Sequence, residues 1–286
     1  MFFEQLVNGL VLGAIYALIA VGYSLQLSIL RIYNLAHGEI MMLSAFAAYG
    51  AMSAGGGIMA ATAAALAAGA VLGLLLERLA LRPLGQSTDA LAPLIVTIGV
   101  GALLQAAAVR MFGYEQRAFP RPTISGFDLG GAWVTWLQVI ILAVGIVTLI
   151  ALNLLVHSTR FGRAVRATAE LPTIARAFGV DIGRVKLAAV AGSSALGGLA
   201  GMLIVLNFGV VTPFIGATFA LKALVVVIVG GSSINGAFFG GLLLGLIEVV
   251  VAGQLMSEYK DALAYGILIV VLAFRPHGLA PAPQLR

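Results

Sequence analysis

Apolar residues along this chain come in long unbroken runs, not in alternation. The long runs lie at about 6–29, 38–54, 58–77, 91–112, 134–157 and 187–208, and three shorter ones follow at about 218–231, 237–253 and 262–275. A helix needs roughly 20 apolar residues to cross the hydrocarbon core of a bilayer. Continuous runs point to helices, because a membrane β-barrel would show alternation along each strand. The pattern predicts an all-α membrane protein, a polytopic bundle of about eight or nine transmembrane helices. The shorter runs can tilt, pair as a re-entrant hairpin, or lie partly within protein. Apolar segments fill the chain end to end, so residues 1–286 read as a single transmembrane domain. The opening MFFEQLVNG lacks the basic segment of a cleavable leader, so the first run is expected to be a retained span.

Composition agrees with a lipid solvent. The chain is 61% hydrophobic and 9% charged, with a mean hydropathy of +1.09, whereas a soluble domain carries about 25% charged residues. The absence of cysteine excludes disulfides, thiol catalysis and cysteine-based metal sites. A net charge of +5 raises the question of nucleic acid, but the basic residues fall in loops between apolar runs. That distribution fits the positive-inside rule. With residues 158–186 in the cytoplasm and the spans threaded alternately, eleven Lys and Arg fall inside and four outside, with Lys222 within a run. This puts the N-terminus outside and, with nine spans, the C-terminus inside.

Glycine is abundant, at 36 residues, and it recurs four apart at Gly9/Gly13, Gly69/Gly73, Gly197/Gly201, Gly236/Gly240 and Gly241/Gly245. Such pairs let helix backbones approach closely in lipid, where hydrophobicity does not drive association. Close packing within the bundle and a subunit interface both use them. The segment 113–133, GYEQRAFPRPTISGFDLGGAW, is the longest on the outer side, and Pro120 and Pro122 stiffen it. It reads either as a connector or as part of a docking surface for an extracytoplasmic partner.

No catalytic constellation is present. His37, His157 and His277 stand far apart, and the His37 and Glu39 of HGE do not share a helix face, so no metal site is expected. No Gly-Lys pair occurs anywhere, which excludes a Walker A loop. If ATP drives this protein, another chain binds the nucleotide.

Charges at membrane depth are costly and usually face the bundle interior. Lys222 and Glu248 lie in short spans and carry opposite signs, which suggests an intramembrane pair, either locking two helices or lining a path. Asn34 stands where it can cap the second span, and Glu39 in its first turn suits the helix dipole. Asn8, Tyr16, Gln26, Asn34, His37, Glu39, Gln105 and Asn207 are candidates for a translocation path or gate; an interhelical hydrogen bond is the simpler account of any one of them.

The basic segment 158–186 holds six of the sixteen Lys and Arg. FGRAVRATAE can form a basic helix off the end of the fifth span. Pro172 can open a second, short helix and Gly179 can stop it. Within that helix Ile174 and Phe178 share one face, beside Ala175, and Asp181 can cap the sixth span. The segment reads as a solvated basic loop, as a lipid-headgroup contact, or as a helix that docks into a groove on a soluble partner.

The blocks NGLVLGAIYALIAVGYSL (8–25), RIYNLAHGEIMML (31–43), GRAVRATAELPTIARAFGVD (162–181) and ALVVVIVGGSSINGAFFGGLLLGLIE (223–248) resemble the permeases of branched-chain amino acid ABC importers, of the shorter, LivH-type kind. The resemblance runs along essentially the whole chain. It implies a permease subunit of the bacterial inner (plasma) membrane with three kinds of partner: a second, similar permease, two cytoplasmic ABC ATPases and a periplasmic substrate-binding protein. ATP and Mg would be bound by the ATPases, with no cofactor in this chain, which would not itself be an enzyme. The loop within 158–186 would be the cytoplasmic coupling helix, with Gly162, Arg163, Arg166, Ala167, Glu170, Ala175 and Gly179 at the matching positions and Ile174 and Phe178 as its apolar knob. It departs from the general importer motif in having Ala-Glu at 169–170 and no later Ile-x-Leu-Pro. Sister importers of urea or short amides share these motifs. An ion-coupled secondary transporter acting alone, and a structural subunit of a larger enzyme, are the readings from other classes.

Overall fold

In a computed structural model the described residues are 2–84, 91–121, 125–129, 132–231 and 233–254, with isolated helical positions beyond. Ten α-helices follow in chain order among them: α1 Phe2–Leu30, α2 His37–Ser53, α3 Gly57–Leu75, α4 Leu91–Phe112, α5 Trp136–Ser158, α6 Arg160–Glu170, α7 Pro172–Ala177, α8 Ile182–Phe208, α9 Ile215–Gly230 and α10 Ile234–Gln254. A π-helical turn, Leu76–Leu81, and a 3₁₀ turn, Arg82–Leu84, extend α3. Six helices among the described residues are long and apolar enough to cross a membrane, and α9 is a shorter apolar one. Of the expected run at 262–275 only Ala262, Tyr265, Gly266, Ile269 and Ala273 are among the described residues, each of them helical. The chain is an all-α polytopic membrane protein.

Contacts divide the chain into two units, one of Met1–Ser24, Arg121–Ile150 and Leu221–Arg286, the other of Leu25–Pro120 and Ala151–Ala220. In the first unit α1 and α10 meet backbone to backbone. A Cβ on Gly13 would stand 2.7 Å from Leu242 Cα, and one on Gly245 would collide with the backbone of Gly13. Small residues permit this approach, and dispersion between the bare backbones replaces the missing hydrophobic drive. In the second unit α8 is the central element, with α2 and α3 packed on it. Gly69 and Gly73 of α3 face Ser194, while Gly198 and Gly201 of α8 face Ala65 and Met41. The glycine pairs Gly9/Gly13, Gly241/Gly245, Gly69/Gly73 and Gly197/Gly201 all serve packing within the chain.

By contrast α4 and α5 expose large apolar side chains, Ile95, Leu103 and Met111 on the one and Val147, Ile150 and Leu154 on the other. Water would penalise that surface heavily; a lipid tail does not.

The described residues of 113–133 include short strands. In the second unit β1, Arg117–Ala118, pairs antiparallel with β4, Val210–Val211. In the first, β2, Gly126–Leu129, and β3, Ala132–Thr135, form a hairpin. Strands this short carry too few residues for a periodic signal, so the apolar pattern did not announce them.

Candidate functional site

The segment 158–186 folds as two short helices, α6 and α7, held against the N-terminal end of α8. Thr159 caps α6 by accepting the Gly162 N–H at 3.0 Å. Gly162 has no room for a side chain, since a Cβ there would overlap the Leu155 and Val156 carbonyl oxygens. Val165 and Thr168 turn inward and the Arg166 guanidinium donates to the Val156 carbonyl, while Arg160 and Arg163 face out. Leu171 alone separates α6 from α7.

Pro172 occupies the first turn of α7, where its missing N–H costs nothing. The helix then stops in a Schellman turn. Gly179 takes φ +83°, its N–H donates to Arg176 O at 3.0 Å, and the Val180 N–H reaches Ala175 O, also at 3.0 Å. Asp181 caps α8 by accepting the Arg184 N–H at 3.1 Å. Ala175 is buried, whereas Ile174 is 50% and Phe178 84% exposed. The apolar knob therefore points away from the chain's own core, on a helix with defined ends.

A buried polar cluster joins the end of α1, the start of α2 and the middle of α8. Gln26 Nε2 donates to Ser193 Oγ at 2.6 Å and lies 3.3 Å from both Ser194 Oγ and His37 Nδ1. Asn34 Nδ2 donates to Gln26 Oε1 at 2.8 Å. All five side chains are fully buried. The ring edge of His37 rests on Gly197, where a Cβ would come within 3.0 Å. Asn34 does not cap α2 as expected. The N-cap is Ala36, which has no side-chain oxygen to offer, and Asn34 Oδ1 instead accepts the Ala36 N–H at 3.1 Å. The short turn between Asn34 and α2 moves the amide two residues ahead of the cap. Glu39, in the first turn of α2, is buried against Gly216 of α9, where a Cβ would stand 2.7 Å from its Oε2.

In the first unit a second cluster forms. Lys222 Nζ of α9 donates to Glu248 Oε1 of α10 at 2.7 Å and to Tyr16 Oη of α1 at 3.1 Å. Tyr16 Oη donates in turn to Glu248 Oε2 at 2.8 Å. The ammonium also lies 5.6 Å from the Tyr16 ring centroid. Each charge is thus met by an opposite charge and a hydroxyl, which is what makes burial at this depth tolerable.

The sequence-named path candidates are divided between the two units. Tyr16 belongs with Lys222 and Glu248, and Asn34 and His37 meet through Gln26. Asn8 accepts from Gln138 at an exposed site, at 2.6 Å, while Asn207 is half-buried near the end of α8. Ser193 and Ser194 were not singled out in advance; their adjacency in an otherwise small, apolar stretch was the available signal. Among the described residues no three metal-ligating side chains come together.

Fold and site together define a multi-pass membrane protein with an exposed, capped helix between two of its spans. The chain belongs to the family described as the permease component of branched-chain amino acid transport systems, whose model matches residues 5–272. It is 34% identical to the high-affinity branched-chain amino acid transport system permease protein BraD of Pseudomonas aeruginosa, over 99% of this chain and 97% of that one. It is 32% identical, over the same shares, to the permease protein LivH of Escherichia coli. A more distant relative is the autoinducer 2 import system permease protein LsrD of Escherichia coli, 27% identical over 64% of this chain and 59% of the other. No solved structure matches the chain.

Proposed function

We propose that this chain is the transmembrane permease subunit of an ATP-driven importer of branched-chain, hydrophobic amino acids in the bacterial inner membrane. It acts as one transmembrane domain of eight or nine spans and forms half of the translocation path. A second, similar permease completes the path, two cytoplasmic ABC ATPases bind ATP and Mg, and a periplasmic binding protein delivers the solute. One observation carries the reading: an exposed six-residue helix, opened by Pro172 and stopped at Gly179, in a chain of this family.

In this reading α7 is the coupling helix. Ile174 and Phe178 enter a cleft on the ATPase, Ala175 anchors the helix from behind, and Gly179 lets it stop. Gly162, Arg163, Arg166, Ala167 and Glu170 shape and flank the α6 platform. When the ATPases close on ATP they draw α7 with them, and packed spans respond as rigid bodies. The buried clusters around Gln26 and Lys222 are the polar points at which such spans are held in register. The names of the full-length relatives support the substrate class, and the apolar interior suits Leu, Ile and Val.

The test is to purify the chain with its co-expressed neighbours and measure ATPase stimulation by the binding protein, with leucine and with urea. Stimulation with leucine supports the reading; transport by the isolated chain, driven by an ion gradient, overturns it.

A further inference from the structure

Arg31 directly follows α1 and is the one non-glycine residue with positive φ, +55°, among the described residues. A left-handed backbone is sterically unfavourable for an L side chain, so something must hold it there. Its Nη2 donates to the carbonyl oxygens of Ala169 at 2.7 Å and Glu170 at 3.2 Å. Those are the final carbonyls of α6, which a helix leaves without internal partners, and a cation there also meets the negative end of the helix dipole. The next residue, Leu171, is at once the last cap of α6 and the first cap of α7. The guanidinium therefore grips the elbow from which α7 projects.

Along the chain Arg31 falls between the partners of a buried hydrogen bond. Gln26 precedes it within α1, Asn34 follows it, and their side chains meet at 2.8 Å. Gln26 continues to Ser193 on α8. A basic residue serving only to orient the chain across the membrane would need neither the left-handed backbone nor two aimed carbonyl contacts.

We propose that Arg31 is a positioning residue that fastens the α6–α7 elbow to the end of α1, so that displacement of α7 is passed to the Gln26–Asn34–Ser193 cluster. This rests on α7 being the coupling helix. The contact is exposed, so water competes for it and its contribution to stability is small; its value lies in geometry.

The test uses the full complex, with its partner permease, ATPases and binding protein, in proteoliposomes, and reads solute taken up per ATP hydrolysed. Arg31→Gly keeps the left-handed backbone and deletes the guanidinium. It should lower that ratio by about fivefold or more, with part of the loss recovered in Arg31→Lys. An unchanged ratio in Arg31→Gly overturns the proposal. If Arg31→Gly does not assemble, Arg31→Gln decides by the same ratio, a reduced value supporting and an unchanged one overturning. Phe178→Asp is measured in parallel. Should it leave the ratio untouched, the coupling-helix reading itself fails; should it lower the ratio while Arg31→Gly does not, only the role of Arg31 fails.

Discussion

Lys222 Nζ lies 2.7 Å from Glu248 Oε1, with both side chains 5% exposed and Tyr16 bonded to each. Removing one member of a buried pair leaves an uncompensated charge and costs about 3–5 kcal/mol, whereas replacing both with apolar groups is close to neutral. Lys222→Met should therefore lower the unfolding temperature of the purified protein sharply, and Lys222→Met with Glu248→Leu should restore most of the loss. A double variant no more stable than the single would refute a mutual pairing. Uptake by the restored double variant then separates a lock, which keeps transport, from a gate, which loses it.

The crossing of α1 and α10 makes a second prediction. A Cβ on Gly245 would collide with the Gly13 backbone, so Gly245→Ala must part the helices, at about 1–3 kcal/mol by the usual cost of overpacking. Gly50 of α2 has nothing within 4 Å of an added Cβ. Gly50→Ala should be neutral or gain up to ~1 kcal/mol from helix propensity. Thermal unfolding in detergent of the two variants, compared with the parent, checks the contrast.

Gly179 has open space around it and a φ of +83°, so any cost of substitution is conformational and not steric crowding. Gly179→Asn tolerates that conformation far better than a β-branched residue does. Gly179→Val should uncouple ATP hydrolysis from uptake while membrane insertion survives, with Gly179→Asn close to the parent. Equal damage from Asn and Val would remove the helix stop from the explanation.

Gln26 is the hub of the buried cluster. Gln26→Leu leaves the Asn34 amide without its acceptor at a fully buried site, and each such orphaned group costs about 1–3 kcal/mol. The expected result is a lower unfolding temperature with normal insertion. Gln26→Glu, which keeps the acceptor for Asn34, should retain that bond while placing a charge beside Ser193.

The long apolar helices were legible because the bilayer imposes a length and a polarity that each segment must meet alone. The run at 91–112 coincides with α4, and that at 134–157 nearly so with α5. The ends of α7 were legible for a related reason: Pro172 and Gly179 act through their own backbones, whatever surrounds them. What could not be read were partnerships across the chain. Small residues announce a close crossing but not the helix they will meet, so Gly13 gave no hint of Leu242. Likewise Arg31 reaches Ala169 across 138 residues, and no local pattern marks that reach. Asn34 shows the intermediate case, where the residue type was informative and its exact partner depended on a turn two residues long.

Leu171 alone separates α6 from α7, and the four residues 178–181 separate α7 from α8. The second joint is closed by the Gly179 Schellman turn and the Asp181 cap, and at the first the Arg31 guanidinium meets the last carbonyls of α6. If α7 is the coupling helix, joints this short leave a small excursion of it little room to be lost before it reaches α8. Insertions between residues 170 and 182 should be poorly tolerated even where they leave the surface of α7 untouched, because slack, and not altered contact, would be the fault.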